Sequence, residues 1–183
     1  DSSGGVVAWS PDGNWLLVGG TEIYFVDAAT LKQVRSIKSY AGDNGLAISP
    51  DGKTLAIYRT GVKLYDAVSG GELRTLFEQN SVSSATCGAP LAFSPDSAML
   101  AVQVGDTVKL YDVASGEEIE TIVAKGANSV AFAADGQSLY VGSWQGGVRL
   151  DITTGQPLSS FGDRSGDATC LALSADGTLL ATS

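Results

Sequence analysis

Ser10-Pro11-Asp12-Gly13 returns along the chain as Ser49-Pro50-Asp51-Gly52, Ser94-Pro95-Asp96-Ser97, Ala133-Ala134-Asp135-Gly136 and Ser174-Ala175-Asp176-Gly177. The Asp residues are 39, 45, 39 and 41 positions apart, a period that marks an array of similar supersecondary units. Proline presets φ for a type I turn, Asp bonds its own backbone, and Gly takes the positive φ that closes the loop. Short apolar runs flank each copy, such as Leu46-Ala47-Ile48 before and Leu55-Ala56-Ile57 after, or Val130-Ala131-Phe132 and Leu139-Tyr140-Val141. Each copy therefore reads as a hairpin, and its two-sided apolar strands call for cover on both faces.

A third strand follows and ends in Asp: Ile23 to Asp27, Val62 to Asp66, Val108 to Asp112 and Val148 to Asp151. Thr30, Ser69, Ser115 or Thr154 comes three residues later, with Gly next in the last three units, so a second turn is expected. A fourth strand then carries apolar residues seven and ten positions after the Asp: Val34 and Ile37, Leu73 and Leu76, Ile119 and Ile122, Leu158 and Phe161. Polar residues between them predict an outer strand with one face partly wet. The third strand before Asp151 reads one residue short, and Gly146-Gly147, like Gly19-Gly20 and Gly70-Gly71, reads as a turn.

No long stretch repeats apolar residues at helical spacing. Four antiparallel strands per period of about 40 residues describe a blade of a β-propeller. The sequence thus predicts an all-β chain with complete blades at about 5–38, 44–78, 89–123 and 127–162 and half of a fifth at 168–183. All five are expected to form a single partial propeller domain over 1–183. Because the fifth unit stops after its second strand, other protein subunits or remaining blades of the same propeller are the expected partners.

These repeats resemble the WD-repeat superfamily of β-propellers. The resemblance rests on the Ser-Pro-Asp-Gly turns, Leu64-Tyr65-Asp66, Leu110-Tyr111-Asp112 and the Ser-Gly turns that follow, and it covers essentially the whole chain. The chain departs from that family in having no His at all, and in placing Tyr65, Tyr111 or Val26 where the family has Trp. The family's buried His-Ser/Thr-Asp-Trp network is therefore not carried over. What the resemblance implies is a non-catalytic scaffold, a subunit of a protein complex.

It also implies that the loops between blades and those joining second to third strands share one rim, where partners bind. Those loops supply the candidate partner-binding residues Tyr40, Glu78, Asn80, Asp106, Trp144, Gln145 and Arg164, with Lys38 and Arg59 beside them. Trp144 stands out, since the repeat supplies no strand partner for it. Two readings are open for it: an exposed interface anchor, or a ring folded back over a neighbouring blade.

Composition narrows the chemistry. Eleven Lys and Arg against 20 Asp and Glu give a net charge of -9, which opposes nucleic acid as a partner. Apolar runs are far too short for direct membrane insertion from this segment. Without His there is no Ser-His-Asp or Cys-His nucleophile and no His-assisted metal site. The recurrent Asp residues occupy turns, no phosphate loop follows the glycine pairs, and no alternating acidic calcium loop occurs. No catalytic residue, cofactor or metal site is expected, and Cys87 and Cys170 read as two separate thiols, with a disulfide or a bond to another chain as the alternative readings. The competing expectation is a fragment of a propeller enzyme, a lyase, glycosidase or quinoprotein-like oxidoreductase, with its catalytic residues outside this segment.

Overall fold

The computed structural model describes residues 6–38, 45–78, 90–162, 170–174 and 177–182, which hold strands and turns and no helix. The chain divides into two compact units, Asp1–Val82 and Ser83–Ser183. The first unit holds two four-stranded blades. One is β1 (Val7–Trp9), β2 (Trp15–Gly19), β3 (Ile23–Asp27) and β4 (Gln33–Ile37); the other is β5 (Gly45–Ile48), β6 (Thr54–Tyr58), β7 (Gly61–Asp66) and β8 (Glu72–Glu78).

In the second unit, β9 (Leu91–Phe93), β10 (Met99–Val104), β11 (Thr107–Asp112) and β12 (Glu118–Val123) form the third blade. The fourth is β13 (Ala127–Phe132), β14 (Ser138–Ser143), β15 (Gly146–Asp151) and β16 (Pro157–Phe161), and a two-stranded sheet follows from β17 (Leu171–Leu173) and β18 (Leu180–Thr182). Every neighbour in each sheet is antiparallel and adjacent in sequence. Four complete blades and half of another are what the period of the sequence predicts.

The recurrent turn is held by its own side chains. Ser10, Ser49 and Ser94 donate from Oγ to Oδ1 of the Asp two residues on at 2.5–2.6 Å, and each Oγ accepts the backbone N–H five residues on at 2.8–2.9 Å. All three serines are buried, so this pairing satisfies a hydroxyl that would otherwise be costly to bury. In the fourth blade Ala133 has no hydroxyl to offer. Ser138 takes over from the far side of the turn: it is buried, donates to Asp135 and accepts Arg149 Nε at 2.8 Å. Arg149 also pairs with Asp135, so a cation closes the turn that lost its serine.

The second turn repeats as well. Oδ1 of Asp27, Asp66, Asp112 and Asp151 accepts the N–H of Thr30, Ser69, Ser115 and Thr154 at 2.6–2.7 Å. The next residue is left-handed, at φ of 73° for Gly70, 78° for Gly116 and 66° for Gly155, but Leu31 occupies that place in the first blade at 56°.

Blades pack face to face. In the first unit Leu17, Ile23, Phe25 and Ile37 of one blade meet Leu55 and Ile57 of the next. In the second, Ala101, Val108, Leu110 and Ile122 meet Val130, Phe132, Leu139, Val141 and Leu150. Within each unit the second turn of the later blade passes beside the outer strand of the earlier one: a β carbon on Gly70 would lie 3.0 Å from Ile37, and one on Gly155 would lie 3.6 Å from Ile122. Arg35 adds a polar brace, its guanidinium 3.6 Å from the Phe25 ring centre while it donates to the carbonyls of Ala67 and Val68.

Two local expectations give way. β15 is a full six residues, because Gly146 and Gly147 pair with Ser143 and Gly142 as strand and do not form the turn. In the second blade a bulge between Val62 and Lys63 places Phe77, eleven residues after Asp66, opposite Val62, where the sequence pattern pointed to Leu76. The residues at offset seven, Val34, Leu73, Ile119 and Leu158, are all exposed despite being apolar.

Candidate functional site: a rim built from three loops

The β10–β11 turn and the β12–β13 connection are bonded to each other. Ala124 donates to the backbone carbonyl of Asp106 at 2.8 Å, and Gly126 N–H donates to the Asp106 carboxylate at 2.9 Å. A loop inside one blade and the connection to the next therefore do share a rim in the second unit. The third component is the β14–β15 loop. Its Trp144 indole lies directly against Gly126, so closely that a β carbon there would collide with the ring. Gly126 also has φ of 69°, a conformation that glycine adopts without strain.

The Trp144 ring is folded onto the Gly126 turn, and 57% of the residue still faces solvent. Gln145, next to it, is exposed and donates its N–H to Ser143 Oγ at 3.2 Å, while Ser143 Oγ donates to the Gly146 carbonyl at 2.7 Å. Lys125, Ser143, Trp144, Gln145, Ser160 and Phe161 line an open groove at this place. Behind it Phe161 covers Gly147 and meets Tyr140 edge-on at 5.8 Å, which fixes the groove's floor. The site thus offers one large aromatic face, a primary amide, an ammonium and hydroxyls. Groups of these kinds can hold a ligand by contact area and hydrogen bonds.

The first unit carries a groove at the equivalent place in its second blade. Arg59, Thr60 and Gly61 stand in the positions of Trp144, Gln145 and Gly146, and Phe77 stands in that of Phe161. Lys38, Arg59, Lys63, Tyr65, Phe77 and Glu78 line it. Gly61, at φ of 133°, leaves no room for a β carbon against the Phe77 carbonyl. Lys63 is held by Glu72 at 3.2 Å, which pushes its ammonium up from the ordinary lysine value.

Of the sequence-derived candidates, Asp106 and Trp144 meet at Gly126, Gln145 lines the groove beside Trp144, and Glu78 lies in the groove of the first unit. Tyr40, Asn80 and Arg164 lie outside the described residues, as does Cys87. Lys125 and Gly126 escaped the sequence reading; only their place in a connection between blades signalled them. The turn carboxylates belong to structure: hydrogen bonds from Ser10, Thr30, Ser49, Ser69, Ser94 and Thr154 hold Asp12, Asp27, Asp51, Asp66, Asp96 and Asp151 below the usual carboxylate range.

No family model matches the sequence, and no curated protein matches it. Among solved structures the chain is similar to Kuenenia stuttgartiensis hydrazine synthase, with a TM-score of 0.68 and 20% identity over 84% of this chain. The match takes in 47% of that protein's chain, so the present chain spans about half its length. Likeness at this identity is one of fold, and with the repeated four-stranded sheets it supports a propeller-like architecture.

Proposed function

We propose that the chain is a non-catalytic protein–protein interaction module, a propeller of the WD-repeat-like kind that serves as a subunit of a protein complex. It holds its partner on the rim formed by Asp106, Lys125, Trp144 and Gln145. The observation that carries this reading is Trp144, a large aromatic anchored from below by Gly126 yet more than half open to solvent. Rigid aromatics of this kind lose little entropy on contact and dominate binding energy in interfaces. The net charge of -9 sets the partner apart from polyanions such as nucleic acid.

Affinity capture from the source cells, run side by side with the wild-type chain and Trp144→Ala, tests the proposal. A protein retained by the wild type and lost by the variant at unchanged thermal stability supports it. Equal retention by both would overturn it.

A second reading, a fragment of a propeller enzyme, draws on the likeness in fold to hydrazine synthase, whose activity is that of a chain about twice as long. Turnover by the full-length source protein that is abolished by substitutions within Asp1–Ser183 but leaves binding intact would favour it.

A further inference from the structure

The groove of the second blade differs in charge from its counterpart in the fourth. Register sets Lys63 opposite Ile57 and Val148 opposite Val141, so Lys63 stands where the fourth blade has Val148, as Arg59 stands where it has Trp144. The connection entering each blade adds a lysine to the lining, Lys38 directly after the buried Ile37 and Lys125 in the fourth. Three of the 11 Lys and Arg in a chain of net charge -9 therefore line one groove. Since both blades form a groove at this place, the fold itself does not require the cations.

These cations surround an apolar base on a fixed frame. Ile57 is buried, and Tyr65 packs against the core that the second blade shares with the first. Tyr58, just before Arg59, is buried and meets the Phe77 ring at 6.3 Å. The Arg59 N–H donates to the Gly61 carbonyl at 2.9 Å, and Gly61 runs too close to the Phe77 carbonyl to carry a side chain. Two acids limit what the groove accepts. Glu72 holds Lys63 Nζ at 3.2 Å from each of its carboxylate oxygens, and Glu78 lines the groove itself. Lys38 and Arg59 together balance one added negative charge beside Glu78, whereas a polyanion meets Glu78 and the field of the whole chain. The cavity holds about 240 Å³, below the range that takes drug-sized ligands, so the anionic group belongs to a small body.

We propose that this groove binds a small organic acid, its one carboxylate held by Arg59 and Lys38 and its planar or short aliphatic body set over Ile57 and Tyr65. A planar guanidinium matches a carboxylate through two parallel hydrogen bonds, and an ammonium adds charge without fixing direction. Lys63, already held by Glu72, contributes its field and keeps its place at the wall. The site lies wholly within the first unit, so it stands or falls apart from the Trp144 rim.

Titration of the isotope-labelled chain with phenylacetate, read by amide shifts in two-dimensional NMR, tests this. Saturable shifts are expected at Lys38 and residues 59–63 in the millimolar range, with none that saturate at residues 143–146. Phenylethanol, the neutral analogue, and inorganic phosphate are titrated into the same wild-type chain, so the answer does not depend on how a variant folds. Both are expected to bind several-fold more weakly than phenylacetate. Arg59→Gln and Lys38→Gln are each expected to weaken phenylacetate several-fold at unchanged melting temperature, and Arg59→Lys to recover part of the loss. Equal binding of phenylethanol would reduce the groove to an apolar pocket, and equal binding of phosphate to an unselective cationic patch. Either result would overturn the proposal, as would the absence of saturable shifts or undiminished binding in the Arg59→Gln, Lys38→Gln double variant.

Discussion

The Trp144 indole rests on Gly126, a glycine that belongs to the connection between two blades and not to the loop that carries the tryptophan. A methyl group at Gly126 would strike the ring, and φ of 69° adds backbone strain of about 1 kcal/mol for any other residue. Gly126→Ala is therefore expected to displace Trp144 and weaken partner binding about as much as Trp144→Ala, a loss on the order of 2 kcal/mol or thirtyfold in affinity. Binding measured by surface plasmon resonance checks this. Wild-type affinity in Gly126→Ala would mean that the ring's position does not matter.

Arg35 ties two blades of the first unit through Phe25, Ala67 and Val68. Arg35→Ala removes a stacked cation and leaves carbonyls without their charged donor, an expected cost of about 2–3 kcal/mol in urea denaturation. Arg35→Lys is expected to recover only part of this, since one ammonium cannot both stack and reach two carbonyls. Full recovery by lysine would contradict the two-carbonyl geometry.

Leu31 and Ser97 hold φ of 56° and 64° at positions where sister blades have glycine. Leu31→Gly and Ser97→Gly are each expected to raise stability by about 0.5–1 kcal/mol, the relief of left-handed strain less the added freedom of the unfolded chain. Denaturant midpoints that fall in both variants would show these turns to be unstrained.

Ser94 is buried, donating to Asp96 and accepting from Met99. Ser94→Ala strands the Met99 N–H and is expected to cost about 1–3 kcal/mol. Chemical denaturation measures it, and a neutral outcome would move the weight of the turn to Pro95 and the backbone.

Acid should act through the same turns. Hydrogen bonds hold Asp12, Asp51 and Asp96 below the ordinary carboxylate value of about 3.9, so the folded state keeps them ionised more readily than the unfolded chain. Their contribution is complete above about pH 4 and is lost as pH falls through the lower folded values. Relief of repulsion in a chain of net charge -9 works in the opposite direction, so the comparison is with a variant carrying Asp12→Asn, Asp51→Asn and Asp96→Asn. The wild type is expected to lose its advantage over that variant progressively as pH is taken down from about 4. A constant difference across that range would rule out the turn carboxylates.

Much of this architecture was legible because one turn needs fixed chemistry at fixed spacing. Ser10, Asp12 and Gly13 each have a separate geometric task, and the period of their return counted the blades. What escaped detection was register. One extra residue at the bulge beside Val62 brought Phe77 into the place assigned to Leu76, and the backbone needs of Gly146 and Gly147 hid the start of a strand. The rim was legible only as a set of loops. That Asp106 and Trp144 both converge on Gly126 depends on a contact between connections twenty residues apart, which no local pattern encodes.

Hydrogen–deuterium exchange of the protein with and without its captured partner addresses the rim most directly. Protection is expected at residues 105–106, 124–126 and 143–146, with the turns around Asp12, Asp51 and Asp96 unchanged. Protection confined to those Asp turns, or none within the described loops of the second unit, would contradict the assignment of Trp144 and its neighbours as the partner-binding surface.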